Sequence, residues 1–474
     1  MDVHSERFVE LAHDAMDDDQ LQRALGRLKS GLSAGRSAAV DRMPEFETLR
    51  DEGRAIRNHT LAHLDHYLER FAAAVEASGG VVHFAPDAAA AREIILGICE
   101  RVGAERVTKG KSMVTEEIEL NEFLMARGIQ CLETDLGEYI IQLRGERPSH
   151  IVGPAIHLTR EQVAQTFASH HGDRHDPAQV EAAQLVAEAR AVIRQHFLDA
   201  DVGITGANFA IAETGTTVIV TNEGNGDLTQ SLPKVHIAVT GIEKIVPTLE
   251  DASTLIRLLT RSATGQEASV YTTWSTGPKR ADDPDGPEQF HVVLVDNGRS
   301  GMLGTEFQDM LRCIRCGACL NHCPVYGQVG GHAYGSVYPG PMGAVLTPSL
   351  AGIDAGGHLP NASTFCGACE AVCPVRIPLP KLMRHWRARE FERHLAPRGF
   401  RFGLGLWAFV ARRPKLYRLA ARIGARLLRL AAGRSGRLRT LPVGRGWTAW
   451  RDMPAPAGET FMDAWKRANG SSGR

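Results

Sequence analysis

The sequence of 474 residues has few aromatic side chains, 6% of the total, and no long apolar run. The longest apolar stretch near the C-terminus, 403–411, has nine residues, whereas a helix needs about 20 to cross a bilayer. We therefore expect no membrane-spanning helix. The hydrophobic fraction of 43% still suffices for buried cores, which excludes a mainly disordered chain.

The N-terminal sequence lacks the basic region, the apolar stretch and the cleavage site of a secretory signal. Cysteine is also scarce, with nine in the whole chain, too few for a fold held together by disulfides. These two absences predict a protein of the reducing cytoplasm. Seven of the nine cysteines lie between 313 and 373, and this clustering indicates a metal centre.

Acidic residues are absent from the segment 393–451, which carries fifteen basic residues. Because the whole chain has a net charge of −1, the remainder carries about −16. Within this segment, the spacing of arginine and apolar residues predicts a basic amphipathic helix. We expect this helix to dock on an acidic partner subunit or on an anionic membrane surface. Its residues at helical spacing are Arg418, Arg422, Arg426 and Arg429, beside Leu419, Ile423, Leu427 and Leu430. No recognised DNA- or RNA-binding motif is present, so we expect no nucleic-acid partner.

Alternating strand and helix patterns begin after the first 50 residues. A helix is predicted over 50–78, where Gly79 and Gly80 end it, and a strand follows at 81–84. Asp87 is predicted to cap the next helix, which precedes another short strand. This alternation is typical of a parallel α/β sheet. The remaining predictions are a helix over 88–99 and strands at 106–108, 216–220, 235–239, 268–271 and 291–294.

The chain changes character after about residue 304, where helix-like segments begin to flank the cysteines. The fold class expected is therefore α/β plus all-α, in several parts. These parts are an N-terminal helical segment (1–50), an α/β domain (51–304), a helical cysteine-containing domain (305–395) and a basic C-terminal extension (396–474), of which 452–474 is expected to be a polar tail.

The first cysteine run has the spacing C-x2-C-x2-C-x3-C and is followed by Pro324. It consists of Cys313, Cys316, Cys319 and Cys323. This is the ligand run of a bacterial-type [4Fe-4S] centre, in which the fourth cysteine reaches a second cluster in two-cluster proteins. A zinc site is the alternative, because C-x2-C pairs also make zinc ribbons. Seven cysteines with two Cys-Pro endings favour two iron-sulfur clusters.

The second run comprises Cys366, Cys369 and Cys373, followed by Pro374. By the crossing rule the first cluster takes Cys313, Cys316, Cys319 and Cys373, and the second takes Cys323, Cys366 and Cys369. The motif spacing places Ser363 where the missing fourth thiolate is expected. The second [4Fe-4S] cluster should therefore lose one iron on oxidation and become [3Fe-4S], unless its open iron binds substrate. Two close clusters indicate one-electron relay.

Several short segments, together with both cysteine runs, match one known family. They are 109–113 with Glu116 and Glu117, 134–138, 149–152 with Pro154, 212–216, 222–225, 241–247 and 295–300. On these residues the chain resembles the lactate utilisation iron-sulfur proteins, specifically the B component of a three-protein L-lactate oxidation system. The resemblance covers nearly the whole chain, and in this family the second run also lacks its first cysteine.

The resemblance implies a LUD-type α/β domain similar to the sugar-phosphate isomerase and CoA-transferase sheet fold. It also implies a cluster domain like the helical two-cluster ferredoxins, followed by the family's C-terminal extension. The implied activity is NAD-independent oxidation of L-lactate to pyruvate, with electrons leaving through the clusters toward a quinone-linked acceptor. The implied partners are a cysteine-rich-motif subunit and a shorter protein sharing the LUD domain, and L-lactate would bind somewhere in this complex.

Three residues of the α/β domain are weak candidates for catalysis. Lys109 and Lys111 follow a strand end, where parallel sheets place ligands, and lysine suits a carboxylate or phosphate. A solvated lysine pair is the alternative. Glu213 lies just before a strand, and the resembled transferase fold often uses a glutamate, although a structural carboxylate that holds a loop explains it equally.

Other polar residues and cysteines are interpreted as structural. Arg299 lies in a turn, and Cys99 and Cys131 are expected to be buried small side chains. A histidine-rich stretch is expected to be a surface loop, because its spacing does not present one ligand face. It contains His170, His171, Asp173 and His175.

Two functions of different classes compete at this point. One is an electron-transfer subunit of a lactate-oxidising complex, and the other is a self-contained α/β ligase or transferase in which the clusters serve only as structure. Two closely spaced cluster motifs favour electron transfer, because a structural role needs one metal at most.

Overall fold

The structure is a computed structural model that describes residues 3–172, 181–441, 444–448 and 451–470. The chain forms two compact units, Met1–Glu392 and Arg393–Arg474. The first unit contains both the predicted α/β domain and the cysteine-containing segment, and one hydrophobic cluster includes residues of both, among them Phe209, Leu255 and Tyr326. The division at residue 304 therefore stays a prediction.

The N-terminal segment is helical, as its sequence indicates. It comprises α1 (Phe8–Asp17), α2 (Asp19–Leu28), a π-helical stretch (Lys29–Ser33) and α3 (Ala34–Asp41). The predicted helix over 50–78 is two helices, α4 (Phe46–Ala62) and α5 (Leu64–Ala77). They separate at His63, whose backbone (φ −129°, ψ 37°) leaves the helical region, a break that the apolar spacing does not reveal.

A six-stranded parallel sheet is the centre of the α/β part, which confirms the predicted class. Its strands are β1 (Val81–Ala85), β2 (Arg106–Lys109), β3 (Gln130–Glu133), β4 (Val202–Thr205), β7 (Val235–Gly241) and β10 (Gln289–Val295), in the order β1-β10-β7-β4-β2-β3. The sequence analysis did not identify β3 and β4. In the register, Lys109 lies opposite Glu133 on one side and Ile204 on the other.

A second, mixed sheet of four strands was not expected. It contains β5 (Phe209–Ile211), β6 (Thr216–Thr221), β8 (Ile245–Val246) and β9 (Tyr271–Ser275), in the order β8-β5-β6-β9. The strand predicted at 268–271 was wrong in position, because β9 pairs with β6 from Tyr271 to Ser275. The threonines and the serine of β9 are polar, so a prediction based on apolar residues placed the strand too early. Threonine nevertheless favours extended backbone, which is consistent with the observed strand.

Helices pack on both sheets and connect their strands. They are α6 (Ala88–Arg101), α7 (Met113–Glu117), α8 (Leu120–Met125), α9 (Leu136–Arg144), α10 (Arg160–His170), α11 (Ala182–Leu198), α12 (Asn225–Ser231) and α13 (Leu249–Ala263). The predicted cap of α6 is confirmed, since the Asp87 carboxylate accepts the Ala90 N–H at 2.8 Å.

The cysteine segment is helical and irregular. Its helices are α14 (Ala318–Asn321), α15 (Tyr326–Val329), α16 (Gly340–Leu350), α17 (Ile353–Gly356), α18 (Ala368–Ala371) and α19 (Leu379–Glu392). The two short helices that follow the cysteine loops, α14 and α18, pack against each other. This contact brings the two cysteine runs together.

The second unit contains the basic extension. Its elements are α20 (Arg398–Ala411), α21 (Pro414–Ala432), β11 (Arg437–Leu438), α22 (Arg445–Thr448), β12 (Met453–Pro454) and α23 (Phe461–Gly470). The described part of the polar tail predicted at 452–474 contains β12 and α23, and Thr460 caps α23 by accepting the Asp463 N–H at 3.3 Å. Among the residues the structure describes, no helix is long and apolar enough to cross a membrane.

Candidate functional site

The first cysteine loop turns through two residues with left-handed backbone. Arg315 (φ 59°) and Gly317 (φ 76°) bend the chain between Cys313 and the start of α14. The Arg315 N–H points back to the Cys313 sulfur, with N···Sγ 3.4 Å. Such N–H···S bonds stabilise thiolate charge, as iron-sulfur ligands require.

The second cysteine loop repeats this geometry. Phe365 (φ 54°) and Gly367 (φ 83°) occupy the positions of Arg315 and Gly317, and α18 follows as α14 does. The Phe365 N–H donates to the Ser363 hydroxyl at 3.2 Å, just as the backbone N–H of Arg315 donates to the Cys313 sulfur. Ser363 therefore holds the loop position that Cys313 holds in the first run.

Two separate cavities are lined by sulfur. One is lined by Cys313, Cys316, Cys319 and Cys373. The other is lined by Cys323, Cys366 and Cys369, together with Ser363 and Thr364. Thus the last cysteine of each run lines the cavity of the other run.

The side chains that line the two cavities include cysteine thiols, the donors that hold iron-sulfur clusters in proteins. In the described part of the chain, no three His, Cys, Asp or Glu side chains come close enough to hold a single metal ion. Tetrahedral zinc with Zn–S bonds of about 2.3 Å needs such a tight set. A cubane carries its ligands on separate iron atoms, so its thiols need not converge on one ion. The residues present therefore fit iron-sulfur clusters.

Burial makes most of these thiols poor acids on their own. It raises the pKa of Cys316 and of Cys369 to about 12 each, and it raises the pKa of Cys373 as well. The exposed Cys366 differs, because the Ala368 N–H and the Thr364 side chain lower the pKa of its thiol. Buried thiols become thiolates when a metal supplies the compensating positive charge.

Buried arginines from the N-terminal helices lie beside the first sulfur-lined cavity. Arg36 of α3 donates through Nη2 to the Val372 carbonyl at 2.9 Å. Arg50 of α4 donates to the Cys373 carbonyl through Nε at 3.1 Å and Nη2 at 2.8 Å. The sequence analysis missed both, because an arginine in an N-terminal helix carries no local signal of contact with a distant loop.

A larger cavity of about 430 Å³ lies at the carboxyl ends of the central parallel strands. The segments after β2, β3 and β4, the end of β7 and part of β6 all line it. Of the three predicted candidates, only Lys111 lines this cavity. This edge of the sheet is where parallel α/β proteins bind ligands.

Lys109 is fully buried and already paired. Its Nζ lies 2.6 Å from Glu133 and 2.8 Å from Glu116, and it donates to the Thr115 hydroxyl at 3.0 Å. Burial, with Glu116 close by, raises the pKa of Glu133 to about 7 although Lys109 opposes this shift. Two carboxylates share one ammonium group here, which holds β2, β3 and α7 together.

Lys111 has a looser environment. Its Nζ lies 3.5 Å from the Glu138 carboxylate, and it is buried without a hydrogen-bond partner among the described residues. Burial raises the pKa of Glu138 to about 8. Lys111 therefore lines the cavity with an ammonium group that is paired only loosely with Glu138.

Glu213 lies away from this cavity. Its side chain is exposed, and Oε2 accepts the Leu249 N–H at 3.2 Å where α13 begins. This position agrees with the alternative of a structural carboxylate, and a catalytic role for Glu213 stays an untested prediction.

Lys244 and Arg315 connect the large cavity to the first cysteine loop, and the sequence analysis singled out neither. Lys244 is buried, and its Nζ donates to the Cys313 carbonyl at 3.5 Å. Arg315 pairs with Glu243 at 3.3 Å and lies over the Tyr338 ring. Burial lowers the pKa of Lys244 to about 7, since desolvation and Arg315 outweigh Glu243. Lys244 falls within the matching run 241–247, the one signal that could have identified it.

Other residues interpreted as structural are indeed buried and bonded. Arg299 is fully buried and binds Glu117 with Nη1 at 2.8 Å and Nη2 at 2.7 Å. Cys99 and Cys131 are buried free thiols.

The expectation of a surface loop was wrong for one histidine. His171 is buried between the Tyr139 hydroxyl at 2.9 Å and the Glu188 carboxylate at 2.6 Å, because it packs on the helical cluster around Phe167. His170 ends α10, and its Nδ1 bonds the Thr166 carbonyl. Asp173 and His175 lie outside the described residues.

Comparisons with known proteins cover nearly the whole chain. Residues 68–295 match the LUD domain, 309–377 match the 4Fe-4S dicluster domain, and 392–469 match the C-terminal domain of lactate utilisation protein B. A crystal structure of a DUF162 family protein from Deinococcus radiodurans aligns with 49% of this chain and 98% of its own, at 15% identity. Its TM-score of 0.29 is too low to support an argument.

Two curated relatives align over nearly their full lengths. "Lactate utilization protein B" from Bacillus pumilus is 42% identical over 469 residues, which cover 98% of each chain. "Uncharacterized electron transport protein YkgF" from Escherichia coli is 43% identical over 454 residues, 95% of this chain and 94% of its own. On these similarities the chain belongs to the lactate utilization protein B family.

Proposed function

We propose that this protein is the iron-sulfur electron-transfer subunit of a complex that oxidises L-lactate to pyruvate and allows growth on lactate. The observation that carries the proposal is the pair of sulfur-lined cavities at the contact of α14 and α18, in a chain of this family. Two clusters held beside these packed helices would exchange electrons one at a time, which is the role of a relay. The names of the relatives, lactate utilization protein B and electron transport protein, agree with it.

The proposed ligands follow the two cavities. Cys313, Cys316, Cys319 and Cys373 would hold one [4Fe-4S] cluster, and Cys323, Cys366 and Cys369 would hold the other. The Ser363 hydroxyl supports the assignment of an incomplete second site, since it occupies the loop position of Cys313. A hydroxyl or water is a weaker ligand for iron than a thiolate, so this corner should be labile.

The companion proteins in the proposal are a cysteine-rich-motif subunit and a shorter LUD-domain protein. Described by itself, the second unit offers a surface suited to docking. On α21, Leu419, Ile423, Leu427 and Leu430 are all exposed between arginines. Exposed apolar residues flanked by cations are typical of peripheral attachment to an anionic membrane. We include such attachment of a cytoplasmic protein in the proposal.

Growth of a deletion strain tests the function. Cells without this protein, and without another lactate dehydrogenase, should grow poorly on L-lactate and normally on pyruvate. A plasmid copy should restore growth, and a copy with Cys316→Ala should not, because that cysteine lines the first cavity. Equal growth of the deletion strain on both carbon sources would reject the proposal.

A further inference from the structure

The second sulfur-lined cavity reaches the surface at one of its cysteines. Of the seven described cysteines that line the two cavities, Cys366 is exposed, whereas the others are buried or half-buried. Thr364, which lines the same cavity, is exposed as well. Electron transfer slows steeply as the distance between redox centres grows. A cluster held in this cavity would therefore be reached from outside most directly at Cys366.

The first turns of α19 place two exposed cations beside this opening. Pro380 and Met383 of α19 line the cavity together with Cys366. The residues that follow them in the sequence, Lys381 and Arg384, are exposed. Among the residues that the structure describes, neither of them forms an ion pair. Both charges are therefore available to an anionic partner.

An aromatic ring next to Cys366 carries guanidinium groups of the same helix. The guanidinium carbon of Arg387 lies 4.1 Å from the centre of the Phe365 ring, and that of Arg384 lies 5.4 Å from it. Arg387 also donates to the Ser363 carbonyl at 3.3 Å. Because Phe365 directly precedes Cys366, these stacked cations lie beside the exposed thiol.

Acidic side chains of this region are engaged elsewhere. Glu390 of α19 is buried, and its carboxylate accepts the Asn361 amide at 2.8 Å. Glu370, in the second cysteine loop, lines a different groove together with Arg50 and Arg54. Outside the basic segment 393–451 the chain is acidic overall, so a cationic surface at this opening is a local feature.

We propose that the cationic surface formed by Lys381, Arg384 and Arg387 docks an acidic patch of a companion redox protein, and that the second cluster exchanges electrons with that protein one at a time. The centre that gives up the electron is oxidised and the other is reduced, so no further reactant is needed. Carboxylates of the companion would pair with the cations, and Phe365 would add an aromatic contact. The existence of such a companion rests on the proposed function, whereas the cationic surface around Cys366 rests on the geometry.

A redox protein fits this surface better than a lipid surface does. Anionic lipid headgroups would also attract the cations, but they carry no centre that could exchange an electron with the second cluster. Arginine and aromatic side chains, which occur together here, are enriched where proteins dock on each other.

Association kinetics of the anaerobically purified, cluster-loaded full chain test the proposal. Each companion protein of the proposed complex is immobilised in turn, and binding is followed by biolayer interferometry. The double variant Lys381→Glu/Arg384→Glu should associate with one companion about tenfold more slowly than the parent at about 0.05 M salt, because the attraction is reversed. At about 0.5 M salt, where charges are screened within about 4 Å, the difference should largely disappear. The matched control Lys234→Glu/Arg280→Glu reverses two exposed cations outside the cavity and should associate as the parent does.

Electron transfer is measured on the same proteins. When the reduced full chain is mixed with the same companion in its oxidised form, the iron-sulfur absorbance should recover, about tenfold more slowly for the double variant at low salt. Iron content and circular dichroism show whether each variant is folded and loaded. If Lys381→Glu/Arg384→Glu loses its clusters, Lys381→Gln/Arg384→Gln removes the charges without reversing them and should slow association about threefold.

Parental association and reoxidation rates in a loaded double variant would overturn the proposal. No association of the loaded parent with either companion would overturn it as well. Parental rates combined with weaker flotation on anionic phospholipid vesicles would assign the cations to lipid instead. Each of these failures would leave growth of the parent strain on lactate intact, whereas failure of the proposed function appears as equal growth of the deletion strain on lactate and pyruvate.

Discussion

The reduction potential of the first cluster should depend on Arg36. This guanidinium is buried, it donates to the carbonyl of Val372 next to Cys373, and its Nε has no hydrogen-bond partner in the described part of the chain. Burial lowers the pKa of Arg36, and the charge of Cys316 is the largest effect that opposes this lowering. A cluster held by thiolates is negative, and reduction adds one more negative charge. Arg36 should therefore stabilise the reduced form.

The Arg36→Gln substitution removes this charge and keeps a hydrogen-bond donor. If the guanidinium charge lies about 8 Å from the cluster, it contributes about 2 kcal/mol at an effective dielectric constant of about 20. For a one-electron couple this corresponds to about 90 mV. The first cluster of Arg36→Gln should therefore have a potential lower by roughly 50 to 90 mV, since water entering the site screens part of the effect.

Potentiometric titration followed by electron paramagnetic resonance measures this shift. Arg42→Gln is the matched control, because Arg42 is 56% exposed and pairs with Glu267 at the surface. Its removal should change neither couple by more than about 10 mV, since solvent and salt screen it. If Arg36→Gln retains both clusters and both potentials, Arg36 does not act on the first cluster and the electrostatic argument fails.

Three further outcomes follow from the structure. On mild oxidation the second cluster of the parent should become a three-iron form, whereas the second cluster of Ser363→Cys should keep four irons. A parent cluster that stays four-iron by electron paramagnetic resonance would contradict the assignment of one iron without a thiolate ligand. The Lys109→Met variant should lose about 3 to 5 kcal/mol of unfolding free energy in a denaturant titration, because two buried carboxylates lose their cation. The control Lys234→Met, which changes an exposed lysine, should lose almost nothing. Equal stability of both variants would refute the structural role of Lys109. Replacing Arg418 and Arg426 by serine should weaken flotation with anionic vesicles about thirtyfold, at about 1 kcal/mol per charge; unchanged flotation would reject membrane attachment.

Local patterns in the sequence predicted the elements that depend on near neighbours. The Asp87 cap and the strand β1 needed only adjacent residues, and the cysteine spacing identified the two loops. The threonine-rich strand β9 was placed too early, because its stability comes from pairing with β6 rather than from apolar side chains.

The cationic surroundings of the cysteines could not be predicted in this way. Arg36 and Arg50 reach Val372 and the Cys373 carbonyl across more than three hundred positions of sequence. Lys109 was a candidate for catalysis because it ends a strand, but its side chain pairs with Glu133 in the neighbouring strand. Which of several strand-end lysines enters a cavity depends on strand order, and strand order is set by long-range contacts.

Rapid freezing of the complete complex after mixing with L-lactate tests the central claim most directly. If this protein relays electrons, signals of reduced [4Fe-4S] clusters should appear in electron paramagnetic resonance during pyruvate formation. A complex containing Cys316→Ala, which removes a thiol from the first cavity, should form pyruvate far more slowly with the same acceptor. Pyruvate formation at the parental rate with Cys316→Ala, without any cluster signal from this protein, would contradict the account.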